Sequence, residues 1–85
     1  MIVSKEIACP WGVAISQTGY IVVTDYNNHR VCVFNKDGSV ALQFGSRGDA
    51  DGLLNNPAGI TVDDQGQYVV ADRSNHRVQI GRAHV

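Results

Sequence analysis

Cysteine is scarce in this chain of 85 residues: Cys9 and Cys32 are the only two, and no C-x-x-C pair occurs. That spacing argues against a zinc knuckle, and two thiols are too few for the disulfide framework of a small secreted domain. Reduced, intracellular cysteine is the expectation. No apolar run approaches the ~20 residues of a membrane-spanning helix. Met1–Glu6 lacks the long apolar core of a signal peptide. A soluble, cytoplasmic protein without a membrane partner is therefore expected. Neither sign of charge dominates, since seven Lys/Arg face eight Asp/Glu for a net charge of −1. This argues against a strongly cationic nucleic-acid binder, whose affinity rests on accumulated positive charge. A local basic rim stays open. The apolar fraction of 44% is ordinary for a globular protein and argues against disorder.

What the chain does have is an internal repeat. Pro10-Trp11-Gly12-Val13-Ala14-Ile15 returns 47 residues later as Pro57-Ala58-Gly59-Ile60-Thr61-Val62. At the same shift Gly19 meets Gly66, Val22-Val23 meets Val69-Val70, and Asp25 meets Asp72. Asn28-His29-Arg30-Val31 meets Asn75-His76-Arg77-Val78. Between 10–33 and 57–80, ten of 24 positions are identical without a gap, so the two segments should share one fold.

Each copy divides into short β segments. Val13 and Ile15, like Ile60 and Val62, alternate with small or polar residues, as a strand with one buried face requires. Gln17-Thr18-Gly19 and Asp63-Asp64-Gln65-Gly66 read as turns. Tyr20–Val23 and Gln67–Val70 are rich in β-branched and aromatic residues. Val31–Phe34 follows, then Asn35-Lys36-Asp37-Gly38, whose Asp-Gly pair favours a tight hairpin, then Val40–Phe44. Antiparallel strands are predicted near 12–16, 20–25, 30–35 and 39–44, and again near 59–63, 67–72 and 77–80, with almost no helix. Short links favour antiparallel neighbours. Cys9–Trp11, Tyr26–Asn27, Arg47–Asn56, Ala58 and Arg73–Ser74 then gather at one rim.

Four-stranded units at this period read as propeller blades. Ile21-Val22-Val23, apolar on successive residues, suggests burial on both faces by neighbouring blades. On this all-β reading residues 1–85 form a partial propeller. The first repeat with its connector covers 10–56, an incomplete second repeat covers 57–80, and 81–85 is an atypical tail. Such a piece should need other blades of a parent chain, or self-association.

Pro-x-Gly-Val followed by Gly-x-Ile-Val-Val-Thr-Asp-x-x-Asn-His-Arg-Val, with the connector Phe44-Gly45-Ser46-Arg47-Gly48 leading to Asp51-Gly52-Leu53-Leu54 and Pro57, resembles the NHL repeat. Residues 69–80 particularly resemble the animal tripartite-motif ubiquitin ligases, whose C-terminal NHL propeller binds RNA or protein. The resemblance implies a six-bladed propeller, no cofactor and a non-catalytic binding role for this chain, within a parent that is an E3 ligase. Bacterial NHL proteins and a peptide-amidating lyase share the repeat, so the fold alone does not decide function. A propeller-enzyme fragment and a purely structural, self-associating unit are the alternatives. The chain departs from the pattern at its ends. Met1–Ala8 lacks the glycine-spaced connector, with only Ile7 matching Leu54, and Gly81–Val85 replaces the expected turn.

Two sets of residues invite a functional reading. Asp25, Asn28, His29 and Arg30, with Asp72, Asn75, His76 and Arg77, could suggest acid–base chemistry. Their occurrence in both copies favours a structural corner, in which the arginine pairs with the aspartate. His29 and His76 lack a clear third metal ligand, so no metal is expected. Asp49, Asp51 and Gly52 lack the spacing of a calcium loop. The rim set Trp11, Tyr26, Asn27, Arg47, Asn55, Asn56 and Arg73 is the ligand-binding candidate. Trp11 and Tyr26 offer faces on which bases stack, the arginines reach phosphate, and the asparagines read polar edges. Asp49 and Asp51 weaken the case for phosphate.

Overall fold

A computed structural model describes residues 7–82, with Arg82 described as backbone only. The expectations for Met1–Glu6 and for residues 83–85 lie outside the described residues. Seven strands fall in two antiparallel sheets. The first contains β1 (Pro10–Ile15), β2 (Ile21–Asp25), β3 (Arg30–Phe34) and β4 (Val40–Phe44), in that order. The second contains β5 (Pro57–Val62), β6 (Gln67–Asp72) and β7 (Arg77–Arg82). No α-helix occurs among the described residues. The β2–β3 and β6–β7 corners are each a single 3₁₀ turn, Tyr26–Asn28 and Arg73–Asn75. This is the architecture of incomplete propeller blades.

The starts of β1 and β5 and the end of β7 differ from those predicted by two residues, and no other strand end differs by more than one. β1 and β5 begin at their prolines because Pro10 pairs with Asp25 and Pro57 with Asp72, each ahead of an irregularity in the ladder. The alternation of apolar residues starts only after that irregularity, so the pattern hides the first residues. β7 continues through Gly81 and Arg82, which pair with Tyr68 and Gln67. The length of β6 carries the ladder past the last apolar residue.

The two sheets meet face to face. Val22, Val31 and Val33 of the first form one core with Leu54, Tyr68 and Val70, and Tyr20, Leu42, Phe44, Ile60 and Val62 surround it. The Phe44 and Tyr68 rings stack at 5.8 Å across the junction. Val23, Cys32 and Phe34 form a second cluster on the opposite face of the first sheet, where Ile7 and Ile21 pack. β2 is therefore buried on both sides, as its unbroken apolar run implies. Ile7 lies against the first-sheet counterparts of the residues that hold Leu54. Their correspondence in sequence is a correspondence in packing.

Close approach at the junction depends on one glycine. A Cβ on Gly12 would lie 2.6 Å from the Ala58 carbonyl oxygen. Beside it, fully buried Thr24 accepts the Gly12 amide at 2.8 Å and donates its hydroxyl to the Ala58 carbonyl at 2.5 Å. This bond satisfies a polar group that burial would otherwise penalise.

Candidate functional site

The β2–β3 and β6–β7 corners and the connector form one rim. Gly19 approaches the Lys36 side chain, so the β1–β2 and β3–β4 turns share the other end of the first sheet. On the functional side, the corner motif builds the frame. Asp25 is fully buried. Its Oδ2 accepts Asn28 Nδ2 at 2.9 Å and Arg30 Nε at 3.1 Å, and its Oδ1 accepts the Cys9 amide at 3.1 Å. Asp72 repeats this. Its Oδ2 accepts Asn75 Nδ2 at 2.9 Å and Arg77 Nε at 2.8 Å, and its Oδ1 accepts the Asn55 amide at 2.7 Å. Burial by itself would raise both carboxyls. The bonds from Asn28, Cys9, Arg30 and Ala8 outweigh it at Asp25, and those from Asn55, Asn75, Arg77 and Gln79 outweigh it at Asp72. Both groups are thereby held below the ordinary carboxylate range.

The repeated histidines close these corners by backbone shape. His29 (φ 54) and His76 (φ 53) both take the left-handed conformation, uncommon for a side chain of this size. His29 Nδ1 then accepts the Asn56 amide at 2.9 Å, from the segment entering β5. That bond requires a lone pair on Nδ1, so the proton of neutral His29 sits on Nε2. The histidine joins one repeat to the next. Among the described residues no cluster of three or more His, Cys, Asp or Glu could hold a metal ion. Neither cysteine is in a disulfide, and Cys32 is buried.

Around this frame the rim residues converge unevenly. Trp11 stacks on Tyr26 with ring centroids 4.8 Å apart and planes 23° from parallel, while remaining 59% exposed. Arg73 Nη1 donates to Tyr26 Oη at 2.9 Å. Asn56 Nδ2 donates to the Tyr26 carbonyl at 3.2 Å, and Ser74 Oγ donates to Asn56 Oδ1 at 2.9 Å. Trp11, Tyr26, Asn56 and Arg73 thus form one connected surface spanning both repeats. Asn55 contributes through its backbone, its amide on Asp72 and its carbonyl accepting the Ser74 amide. Asn27 is exposed in the first turn. Arg47 is exposed on the connector, in a parallel backbone bridge with Leu54.

Several contacts that build the frame are not legible from the repeated motif. Arg77 donates to the carbonyls of Asp49, Ala50 and Leu53, and Gln79 Nε2 donates to Leu53 O and Asp72 Oδ2. These bonds clamp the connector onto the second sheet. Gln79 has Cys32 as its counterpart, so the repeat gives no hint of its role. Thr24 stands opposite Ala71 and is equally hidden.

The model of the NHL repeat matches residues 8–34 and 54–80, the two units that the sheets embody. The chain belongs to the NHL-repeat family. Residues within it are 46% identical over 53 positions to RING finger protein nhl-1 of Caenorhabditis elegans, covering 62% of this chain and 5% of that protein. Protein brain tumor of Drosophila melanogaster is 44% identical over 48 residues, covering 56% of the chain and 5% of that protein. Protein lin-41 of Caenorhabditis elegans is 44% identical over 34 residues, covering 40% and 3%. The matched segments thus span at most 5% of these curated relatives.

Proposed function

We propose that this chain is part of a non-catalytic recognition module that binds single-stranded RNA across the rim shared by its two repeats. The observation that carries this reading is the Trp11–Tyr26 stack. Trp11 has one face on Tyr26 while its side chain is 59% exposed, and Arg73 is anchored on the Tyr26 hydroxyl. An exposed indole already backed by a second ring is ready to take a base, and stacking is worth about 1–3 kcal/mol per base. The exposed Arg73 guanidinium can reach a phosphate, and Asn27 can bond base edges. With a net charge of −1, stacking rather than counterion release carries the affinity, so the salt dependence is shallow.

Trp11 is the only tryptophan, so its fluorescence reports the site directly. Titration with a single-stranded oligoribonucleotide should quench it saturably. Trp11→Ala should weaken binding, followed by anisotropy of a labelled RNA, by about 1–3 kcal/mol. Unchanged affinity in Trp11→Ala would refute the rim reading. A protein partner is the second reading. The connector that borders the rim exposes Asp49 and Asp51, which repel phosphate but suit a basic peptide. Quenching by a basic peptide and not by RNA would favour it.

In the parent protein we place this module in the cytoplasm, as the substrate-recognition end of a tripartite-motif E3 ubiquitin ligase. The similarity to a RING finger protein supports that reading. Sequencing the full transcript tests it: a RING and B-box set of cysteines and histidines upstream supports the ligase, and a secretory leader contradicts it.

A further inference from the structure

Asn56 stands where the chain enters the second sheet, and its backbone is unusual. Its φ is 52, in the left-handed region, and Pro57 follows it. A Cβ disfavours that region, and a following proline pushes a residue toward extended conformations instead. Such a conformation persists where the surroundings hold it. Three bonds do so here. The Asn56 amide donates to His29 Nδ1 at 2.9 Å, Nδ2 donates to the Tyr26 carbonyl at 3.2 Å, and Oδ1 accepts Ser74 Oγ at 2.9 Å. His29 and Tyr26 lie at the two ends of the first corner, and Ser74 lies in the second.

Tyr26 is where these bonds lead. The counterpart of Asn56, 47 residues earlier, is Cys9, and each directly precedes the proline that opens its sheet. The Cys9 carbonyl accepts the Tyr26 amide at 2.9 Å, while Asn56 donates to the Tyr26 carbonyl. The entry residues of both sheets thus hold the two backbone groups of one aromatic residue. That residue carries Trp11 on its ring, with centroids 4.8 Å apart, and Arg73 on its hydroxyl. Asn56 is half-buried, and both polar ends of its side chain are engaged by the protein.

We propose that Asn56 is the positioning residue of the rim. It carries the register of the two repeats to Tyr26, and so sets where Trp11 and Arg73 meet RNA without contacting RNA itself. The ligand in this proposal rests on the rim reading above, whereas the positioning of the aromatic pair rests on the bonds alone. Without the Asn56 side chain the Tyr26 backbone keeps the Cys9 bond and loses its tie to the second repeat.

Asn56→Gly and Ser74→Ala test this, with Trp11→Ala in parallel. Glycine takes a positive φ freely, so Asn56→Gly keeps the backbone shape and the amide bond to His29 while removing both side-chain bonds. Ser74→Ala removes one of them at an exposed position, and it decides the matter if Asn56→Gly unfolds by far-ultraviolet circular dichroism. The part of the near-ultraviolet dichroism that Trp11→Ala removes, measured without RNA, reports the stack. Asn56→Gly should lose a large share of that signal, and Ser74→Ala a smaller one. Affinity for a fluorescein-labelled, mixed-sequence oligoribonucleotide, read by anisotropy, should fall about 3–10-fold in Asn56→Gly. An unchanged near-ultraviolet signal in the folded variants overturns the proposal, because a residue with a merely structural role leaves the stack in place. A reduced signal with unchanged affinity, where Trp11→Ala does weaken binding, overturns it too. If Trp11→Ala leaves affinity unchanged, the RNA reading of the rim fails instead, and the near-ultraviolet signal alone decides whether Asn56 positions the aromatic pair.

Discussion

Tyr26 and Arg73 occupy the same position in successive repeats and are bonded to each other, Arg73 Nη1 to Tyr26 Oη at 2.9 Å. The repeat fixes where these side chains emerge, while their difference in chemistry sets what the shared surface can bind. The bond is exposed, so it contributes little to folding. Tyr26→Phe should change unfolding free energy by no more than about 0.5 kcal/mol. It should also loosen Arg73 and weaken RNA binding. Urea melts read alongside anisotropy titrations check the split, and a large loss of stability would assign Tyr26 to the frame instead.

The corner aspartates should behave in the opposite way. Asp25→Ala leaves Arg30, Asn28 and two backbone amides without their shared carboxylate. Asp72→Ala does the same to Arg77, Asn75 and the Asn55 amide. Removing one partner of a buried pair costs about 3–5 kcal/mol. Each substitution should lower stability by an amount of that order in urea melts. Stability close to that of the unsubstituted chain, together with lost binding, would speak for a direct functional role.

The same carboxylates set the response to acid. Both are held below their unfolded value of about 3.9. Their contribution is fully present above that value and is lost as pH falls through it toward the folded values. Asp37, bonded by the Ser39 hydroxyl and amide, shifts in the same direction. Unfolding free energy should be flat with respect to these groups from pH 7 to about 5 and should drop below about 4. The drop should be shallower in Asp72→Asn. A flat profile down to pH 3 would contradict the assignment.

Gly12 and Gly59 are equivalent in sequence and inequivalent in surroundings. Gly12→Ala places a methyl 2.6 Å from a backbone oxygen, whereas Gly59→Ala meets nothing within 4 Å. Gly12→Ala should cost about 1–3 kcal/mol through forced separation of the sheets. Gly59→Ala should be neutral, or stabilising by about 0.4–1 kcal/mol through the unfolded chain. Thermal melts at low concentration compare them, and equal effects would show that the sheets do not meet as described.

Much of this was legible in the sequence because the repeat states it twice. Val22-Val23 announces a strand buried on both faces, and the paired Asp-x-x-Asn-His-Arg motifs announce equivalent corners. The bulged starts at Pro10 and Pro57 were not legible, because pairing there is made by backbone and leaves no apolar alternation. Nor was the junction bond of Thr24, or the clamp of Gln79 on the connector. Each occurs in one repeat only, and each depends on which residue of a distant segment comes within reach. His29 was legible as repeated, while its bond to the Asn56 amide depends on a left-handed backbone that local pattern does not reveal.

The shared junction makes the two repeats one folding unit. Native-state amide exchange, followed residue by residue in increasing urea at low protein concentration, tests it most directly. Val22 and Val33 in the first sheet and Val70 in the second should all be protected, and should lose protection together with one common dependence on urea. Free exchange at Val70 while Val22 and Val33 stay protected would contradict it, since the second sheet would then be opening without disturbing the first.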